Sequence, residues 1–231
     1  TTTRPLFVKG IGVVIQRMLR SFTYIMIAYY MLYVNIPQNL ENKAQYCYST
    51  GMITIIFEAH GTTFDNEAHL SSGWNDVALS PLGIQQSKEM GERYKDDHFD
   101  AIFCSDLQRA YKSAEIGFGN KWPIIQDARL RECNYGDFTQ HPSSEVDVEK
   151  LKRITTPFPN GESYEQTTAR MKLFLEDLKK NYEGKRVMVI GHRATQYGLD
   201  HLINGVALEQ LVSSHFKWQP GWEYDFSQLY A

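Results

Sequence analysis

Ile53-Thr54-Ile55-Ile56-Phe57-Glu58-Ala59-His60-Gly61-Thr62-Thr63 is the stretch on which the fold turns. Its first five residues form a short apolar, β-branched run, which suits a strand buried on both faces. Asp100-Ala101-Ile102-Phe103-Cys104 and Arg186-Val187-Met188-Val189-Ile190 repeat that texture further along the chain. Helical stretches lie between and after them. Ser80 can cap a helix whose first position is Pro81, running to about Tyr94. A second helix is expected from Leu107 to Ile116. Tyr164, Thr168, Met171, Leu175, Leu178 and Tyr182 recur at three- and four-residue steps, one face of a helix from about Glu162 to Tyr182. Glu183-Gly184 ends it. A last helix from Ala194 to about Ile203 stops at Asn204-Gly205. Strands alternating with helices predict an α/β fold, a three-layer α/β/α sandwich with a mainly parallel central sheet.

Composition narrows the function. The chain has 231 residues, 42% hydrophobic and 22% charged, which is the profile of a globular protein. Its formal charge of −3 gives no basic field for nucleic acid, so an anionic ligand has to be held by a local cluster of cations. The three cysteines, Cys47, Cys104 and Cys133, are too few for a disulfide framework and include no C-x-x-C pair. A reducing, cytoplasmic setting is expected.

Residues 1–51 read differently from residues 52–231. Thr1 to Thr50 holds one acid, Glu41, and Lys9, Arg17 and Arg20 precede an uncharged run from Ser21 to Gln38. The apolar stretch from Phe22 to Val34 is short for a membrane span, which needs about 20 residues. An accessory helix or weakly structured extension is the favoured reading. Membrane anchoring or export through residues 21–38 is the alternative.

In parallel sheets ligands bind beyond the carboxyl ends of the strands. Glu58-Ala59-His60-Gly61-Thr62-Thr63 follows the first strand, Ser105-Asp106-Leu107-Gln108-Arg109 the second and Gly191-His192-Arg193 the third. Two histidines and two arginines would then share one sheet edge. Imidazole is a good nucleophile near neutral pH, and a guanidinium holds phosphate oxygens in a fork.

These segments resemble those of the histidine phosphatase superfamily, which includes the cofactor-dependent phosphoglycerate mutases. His60-Gly61 resembles the family's Arg-His-Gly signature, and Thr63 and Asn66 sit where the family has its Thr and Asn. Gly73 to Gln86 resembles its G-x-x-D-x-x-L-(S/T)-x-x-G-x-x-Q stretch, and Ser105 to Ala110 its Ser-(Asp/Pro)-Leu-x-Arg-Ala turn. Leu130-Arg131-Glu132 with Tyr135-Gly136 resembles its acidic segment, Gly161-Glu162-Ser163 its G-E-S helix start, and Gly191-His192 its second histidine. The likeness covers about residues 52–205 in the family's order. It implies a phosphoglycerate mutase-like fold. It also implies a phosphomonoesterase acting on a small phosphorylated metabolite through phosphohistidine, without metal or cofactor. His60 would be the nucleophile, Glu132 the general acid and base, and His192 a donor to the phosphoryl group. Arg109 would hold the phosphoryl oxygens, with Gly61, Thr63 and Asn66 beside them.

One departure matters. The family has Arg before the nucleophilic histidine, and this chain has Ala59. Losing such a contact costs about 2–4 kcal/mol, roughly 10²–10³ in rate. Three readings stand together: a replacement made to disable the enzyme, a natural phosphate-binding pseudoenzyme or interaction module, or compensation by another cation. Arg193, beside His192, is the candidate for the last, against a solvated Arg193 or one paired with Glu58. Glu132 could instead be a surface carboxylate paired with Arg129 or Arg131. The compact core fits a phosphatase better than a mutase. Gln140 to Pro159 is the expected lid, whose Lys150, Lys152 and Arg153 could meet an anionic substrate tail; the favoured alternative for those cations is a plain solvated helix from Ser144 to Arg153. The natural substrate and the oligomeric state are not legible.

Overall fold

The five strands form one sheet in the order β3-β2-β4-β1-β5. They are β1 (Ile53–Ala59), β2 (Ala101–Cys104), β3 (Ile124–Gln126), β4 (Arg186–Gly191) and β5 (Trp222–Phe226). All neighbours run parallel except β5, which pairs antiparallel with β1. The computed structural model describes residues 51–214, 217–227 and 229. The described residues of Gly51–Ala231 form one compact unit. The readings for residues 1–50, membrane contact included, lie outside the described residues. Among the described residues no helix is long and apolar enough to cross a membrane.

Seven helices are described: α1 (Phe64–Glu67), α2 (Pro81–Arg93), α3 (Gln108–Phe118), α4 (Ser143–Glu149), α5 (Tyr164–Asn181), α6 (Arg193–Asn204) and α7 (Leu208–Ser213). Two apolar layers hold helices to the two sheet faces. Ile53, Ile55 and Phe57 pack with Met171, Phe174 and Leu175 of α5 and Leu199 and Leu202 of α6. Ile56, Ile102, Met188 and Ile190 face the other way, onto Met90 of α2 and Ala110 and Ala114 of α3. The α/β/α sandwich expected from the sequence is the fold observed.

The caps follow the sequence signals. The Ser80 hydroxyl accepts from the Gly83 N–H at 3.3 Å, with Pro81 in the first turn of α2. Ser163 opens α5 with a reciprocal bond to Gln166, and Gly205, at φ 70°, ends α6. Three segments depart from expectation. β3 has only three residues, too few for a periodicity to show. β5 has no counterpart among the expected strands; it is an edge strand that buries Tyr224 and Phe226, while Trp218 before it is 56% exposed. The expected helix from Ser144 to Arg153 breaks into α4 and a 3₁₀ turn over Lys150–Arg153. Its cations are matched within the segment, Lys150 with Asp147, and Lys152 and Arg153 with Glu149.

Gly83 sets how closely α2 can approach the loop after β1. A Cβ there would lie 1.9 Å from the Thr62 carbonyl oxygen. Gly→Ala inside a helix normally stabilises by about 0.5–1 kcal/mol. Here Gly83→Ala is expected to destabilise by about 1–3 kcal/mol, because backbone must move to admit the methyl group. Urea unfolding checks the sign, and a stabilised variant would refute the close approach.

Candidate active site

The site begins in the pairing of β1 with β4. Their register sets Ala59 opposite Gly191, so the next residues, His60 and His192, emerge side by side from the same end of the sheet. The His60 N–H donates to the Gly191 carbonyl at 3.1 Å. The imidazole centroids are 5.0 Å apart, with the rings tilted at 59°. Arg109, in the first turn of α3 after β2, reaches the same edge from the strand on the far side of β4.

Hydrogen bonds assign the two tautomers. His60 Nδ1 lies 2.7 Å from the Gly61 carbonyl oxygen, which can only accept. The proton therefore sits on Nδ1, and Nε2 keeps its lone pair. Arg109 Nε donates to His192 Nδ1 at 3.3 Å. A guanidinium cannot accept, so the His192 proton sits on Nε2. That Nε2 is buried and has no hydrogen-bond partner among the described residues. The pair thus offers one nucleophilic nitrogen and one unused N–H donor.

Burial keeps both rings neutral. Desolvation, then the Arg109 charge, lowers the His60 pKa from 6.5 to about 3, against the opposing effect of the Gly61 carbonyl. His192 is held well below its ordinary value by burial, Arg109 and His60. Arg109 is 2% exposed. Its Nη1 donates to the Asn75 carbonyl at 2.9 Å and its Nη2 to that of Gly73 at 2.7 Å. With Nε on His192, two of its five N–H groups stay available to an anion.

Gly61, Thr63 and Asn66 shape the loop beside His60. The Gly61 N–H donates to Ser113 Oγ at 3.0 Å, and a Cβ at Gly61 would meet the Gly83 carbonyl oxygen at 2.4 Å. Thr63 caps α1 in a reciprocal box with Asn66, whose Oδ1 accepts from the Thr63 N–H and hydroxyl. The arrangement assigns Asn66 a turn-closing contact.

Glu132 is buried, at 9% exposure. Its Oε1 accepts from the N–H groups of Cys133 (2.8 Å) and Ala194 (3.2 Å), and its Oε2 from that of Arg193 (3.2 Å). The last two are among the free donors at the start of α6, where a carboxylate is favoured. The surface pairing with Arg129 or Arg131 is overturned: Arg129 binds Asp127 and Asp177, and Arg131 binds Asp106. Arg193 meets the Glu132 carboxylate through its backbone N–H. Its guanidinium donates to the Tyr197 hydroxyl and the Ser214 carbonyl, so its geometry gives no support to a phosphate-binding role. Glu58 pairs with Arg93 at 3.0 Å and accepts from the Tyr94 hydroxyl at 2.7 Å, so it is not the partner of Arg193.

A cavity of 290 Å³ flanks His60, lined also by Ala59, Gln86, Arg93 and Trp218 among others. Sequence reading did not single out Arg93, Trp74 or Arg170. Trp74 Nε1 donates to the Glu132 carbonyl at 2.7 Å, and Arg170 donates to the same carbonyl at 2.8 Å. Arg170 lies on α5 one residue before Met171 of the apolar stripe, so periodicity counts it as a solvated flank.

A sequence profile of the histidine phosphatase superfamily (branch 1) matches residues 55–217. The chain belongs to the histidine phosphatase superfamily. It is 32% identical over 158 residues to PhoE, an uncharacterised phosphatase of Bacillus subtilis, covering 67% of this chain and 79% of that one. It is 31% identical over 176 residues to a 2,3-bisphosphoglycerate-dependent phosphoglycerate mutase of Allorhizobium ampelinum, covering 69% and 83%. The fold is shared with YhfR of Bacillus stearothermophilus (TM-score 0.67, 24% identity, 77% of this chain and 94% of that one). It is shared also with a mycobacterial glucosyl-3-phosphoglycerate phosphatase (TM-score 0.61, 22% identity, 71% and 86%). A phosphatase or mutase kind of activity is what the superfamily and these relatives support.

The lowered histidine pKa values fix a sign for stability. Between about pH 3 and 6.5 the folded chain binds fewer protons at His60 than the unfolded chain. Stability is therefore expected to fall as pH drops through that interval, by up to about 1.4 kcal/mol per pH unit for each such histidine. His60→Asn should flatten the slope of melting temperature against pH between 4 and 6.5. An unchanged slope would mean that His60 does not stay neutral.

Proposed function

We propose that the protein is a metal-independent phosphomonoesterase that works through a phosphohistidine at His60. The observation that carries the reading is the pair of opposite tautomers, a bare Nε2 on His60 beside an unpartnered Nε2–H on His192. A phosphoryl group bound between them would meet a nucleophile and a donor at once. The two spare N–H groups of Arg109 supply charge to its oxygens.

The reaction has two halves. In the first, His60 Nε2 attacks phosphorus, the P–N bond forms and the P–O bond to the leaving group breaks. The proton held on Glu132 passes to the leaving oxygen. In the second, the Glu132 carboxylate takes a proton from water, whose oxygen attacks phosphorus as the P–N bond breaks. Three of the roughly four acceptor sites of the carboxylate are taken by N–H groups. The remaining site, on Oε2, is where that proton would sit.

Ala59 is the observation that favours the second reading, a phosphate-binding module with little turnover. Hydrolysis of p-nitrophenyl phosphate from pH 4 to 9 without added metal decides between them, with His60→Ala as the control. Turnover that disappears in the control is the expected result. Ala59→Arg is expected to raise it about 10²–10³-fold, and Arg109→Ala to lower it by a similar factor. Arg193→Ala should change it less than about threefold, as expected for a side chain without a transition-state contact. A wild-type chain that binds vanadate but never turns over would establish the binding module instead. Release of phosphate to an acceptor alcohol rather than to water would establish a mutase.

A further inference from the structure

Glu132 sits in a segment without regular structure, between a 3₁₀ turn over Ala128–Leu130 and another over Gly136–Phe138. Something has to hold its backbone still. Arg170, projecting from α5, does so with all five of its donors. Nη1 donates to the carbonyls of Arg129 (2.6 Å) and Arg131 (2.8 Å), and Nη2 to that of Glu132 (2.8 Å). The remaining N–H of Nη2 and that of Nε form a fork with Glu162 Oε2 and Oε1, both at 3.0 Å. Glu162 in turn accepts from the Asn134 N–H at 3.0 Å. One ion pair thus grips the chain on both sides of Glu132. The pair is mostly buried, with side-chain exposures of 15% and 18%.

We propose that Arg170, aligned by Glu162, is the positioning residue of the Glu132 carboxyl group. This rests on the proton-transfer role of Glu132 proposed above. The helix α6 donors fix the carboxylate, but the direction of its free lone pair on Oε2 depends also on where the backbone of residue 132 lies. Without the guanidinium, three carbonyls lose a donor and the segment can shift. Proton transfer is steeply sensitive to such a shift. Lysine keeps the charge felt at His192 and loses the planar fork.

The test is a leaving-group series. kcat/KM of the full chain is measured with p-nitrophenyl phosphate, phenyl phosphate and an alkyl phosphate for wild type, Arg170→Lys, Glu162→Gln, Glu132→Gln and the Arg170→Lys/Glu132→Gln double variant. A good leaving group departs without a proton, and a poor one needs it. Arg170→Lys is expected to lose about 10²-fold with the alkyl phosphate and less than about fivefold with p-nitrophenyl phosphate. The double variant should be no worse than Glu132→Gln alone, because both changes remove one function. Glu162→Gln should show the same slope more weakly and serves if Arg170→Lys does not fold. Equal losses across the series, or losses that multiply in the double variant, would overturn the proposal while leaving the phosphatase reading intact. A wild-type chain inactive on every ester would overturn both.

Discussion

The structure depends on one register, the parallel pairing of β1 with β4 that sets Ala59 against Gly191. Side chains alternate along a strand, so a slip of one residue would send one imidazole to the opposite face of the sheet. The register is held by the apolar patterns of both strands. Ile55, Phe57, Val187 and Val189 belong to one core layer, and Ile56, Met188 and Ile190 to the other. A slip would exchange the faces along a whole strand. Core packing and the alignment of the two imidazoles are therefore the same constraint.

Electrostatics then decides what the paired rings can do. A guanidinium buried to 2% exposure beside two imidazoles cannot tolerate a second and third positive charge nearby. The rings stay neutral, and the direction of each hydrogen bond fixes where each proton lies. Ala59 fits this picture in an unexpected way. A cation at position 59 would be one more charge opposing protonation of either imidazole, and Ala59 adds none. Arg109 is held in place by its bonds to His192, Gly73 and Asn75.

The sequence made much of this legible. Strand texture, Ser80-Pro81, Gly205 and the histidines after two strands each have a local cause that needs no tertiary information. β3 and β5 are not legible, because a three-residue strand has no period and because Trp222-Glu223-Tyr224-Asp225-Phe226 becomes a strand only when β1 offers it an edge. Glu132 is legible as a candidate, but its partners are not. Its neighbours Arg129 and Arg131 are nearest in sequence, whereas two of its three donors come from α6, some sixty residues on, and the third is the N–H of Cys133. Arg193 shows the mirror case. Its position beside His192 is fixed by the chain, but the first turn of a helix aims its side chain along α6 toward Tyr197.

Arg109 and Arg170 share a further logic. Each donates to backbone carbonyls of an irregular loop, Arg109 with two of its five N–H groups to residues 73 and 75 and Arg170 with three to residues 129, 131 and 132. The two loops they hold meet where the Trp74 indole donates to the Glu132 carbonyl. An irregular loop has no ladder of its own, so its carbonyls need outside donors if they are buried. A guanidinium supplies up to five in one plane and brings a charge with it. Loop order and site charge therefore come from the same side chains. A lysine in either place would keep the charge but lose the planar fork on which the loop carbonyls depend.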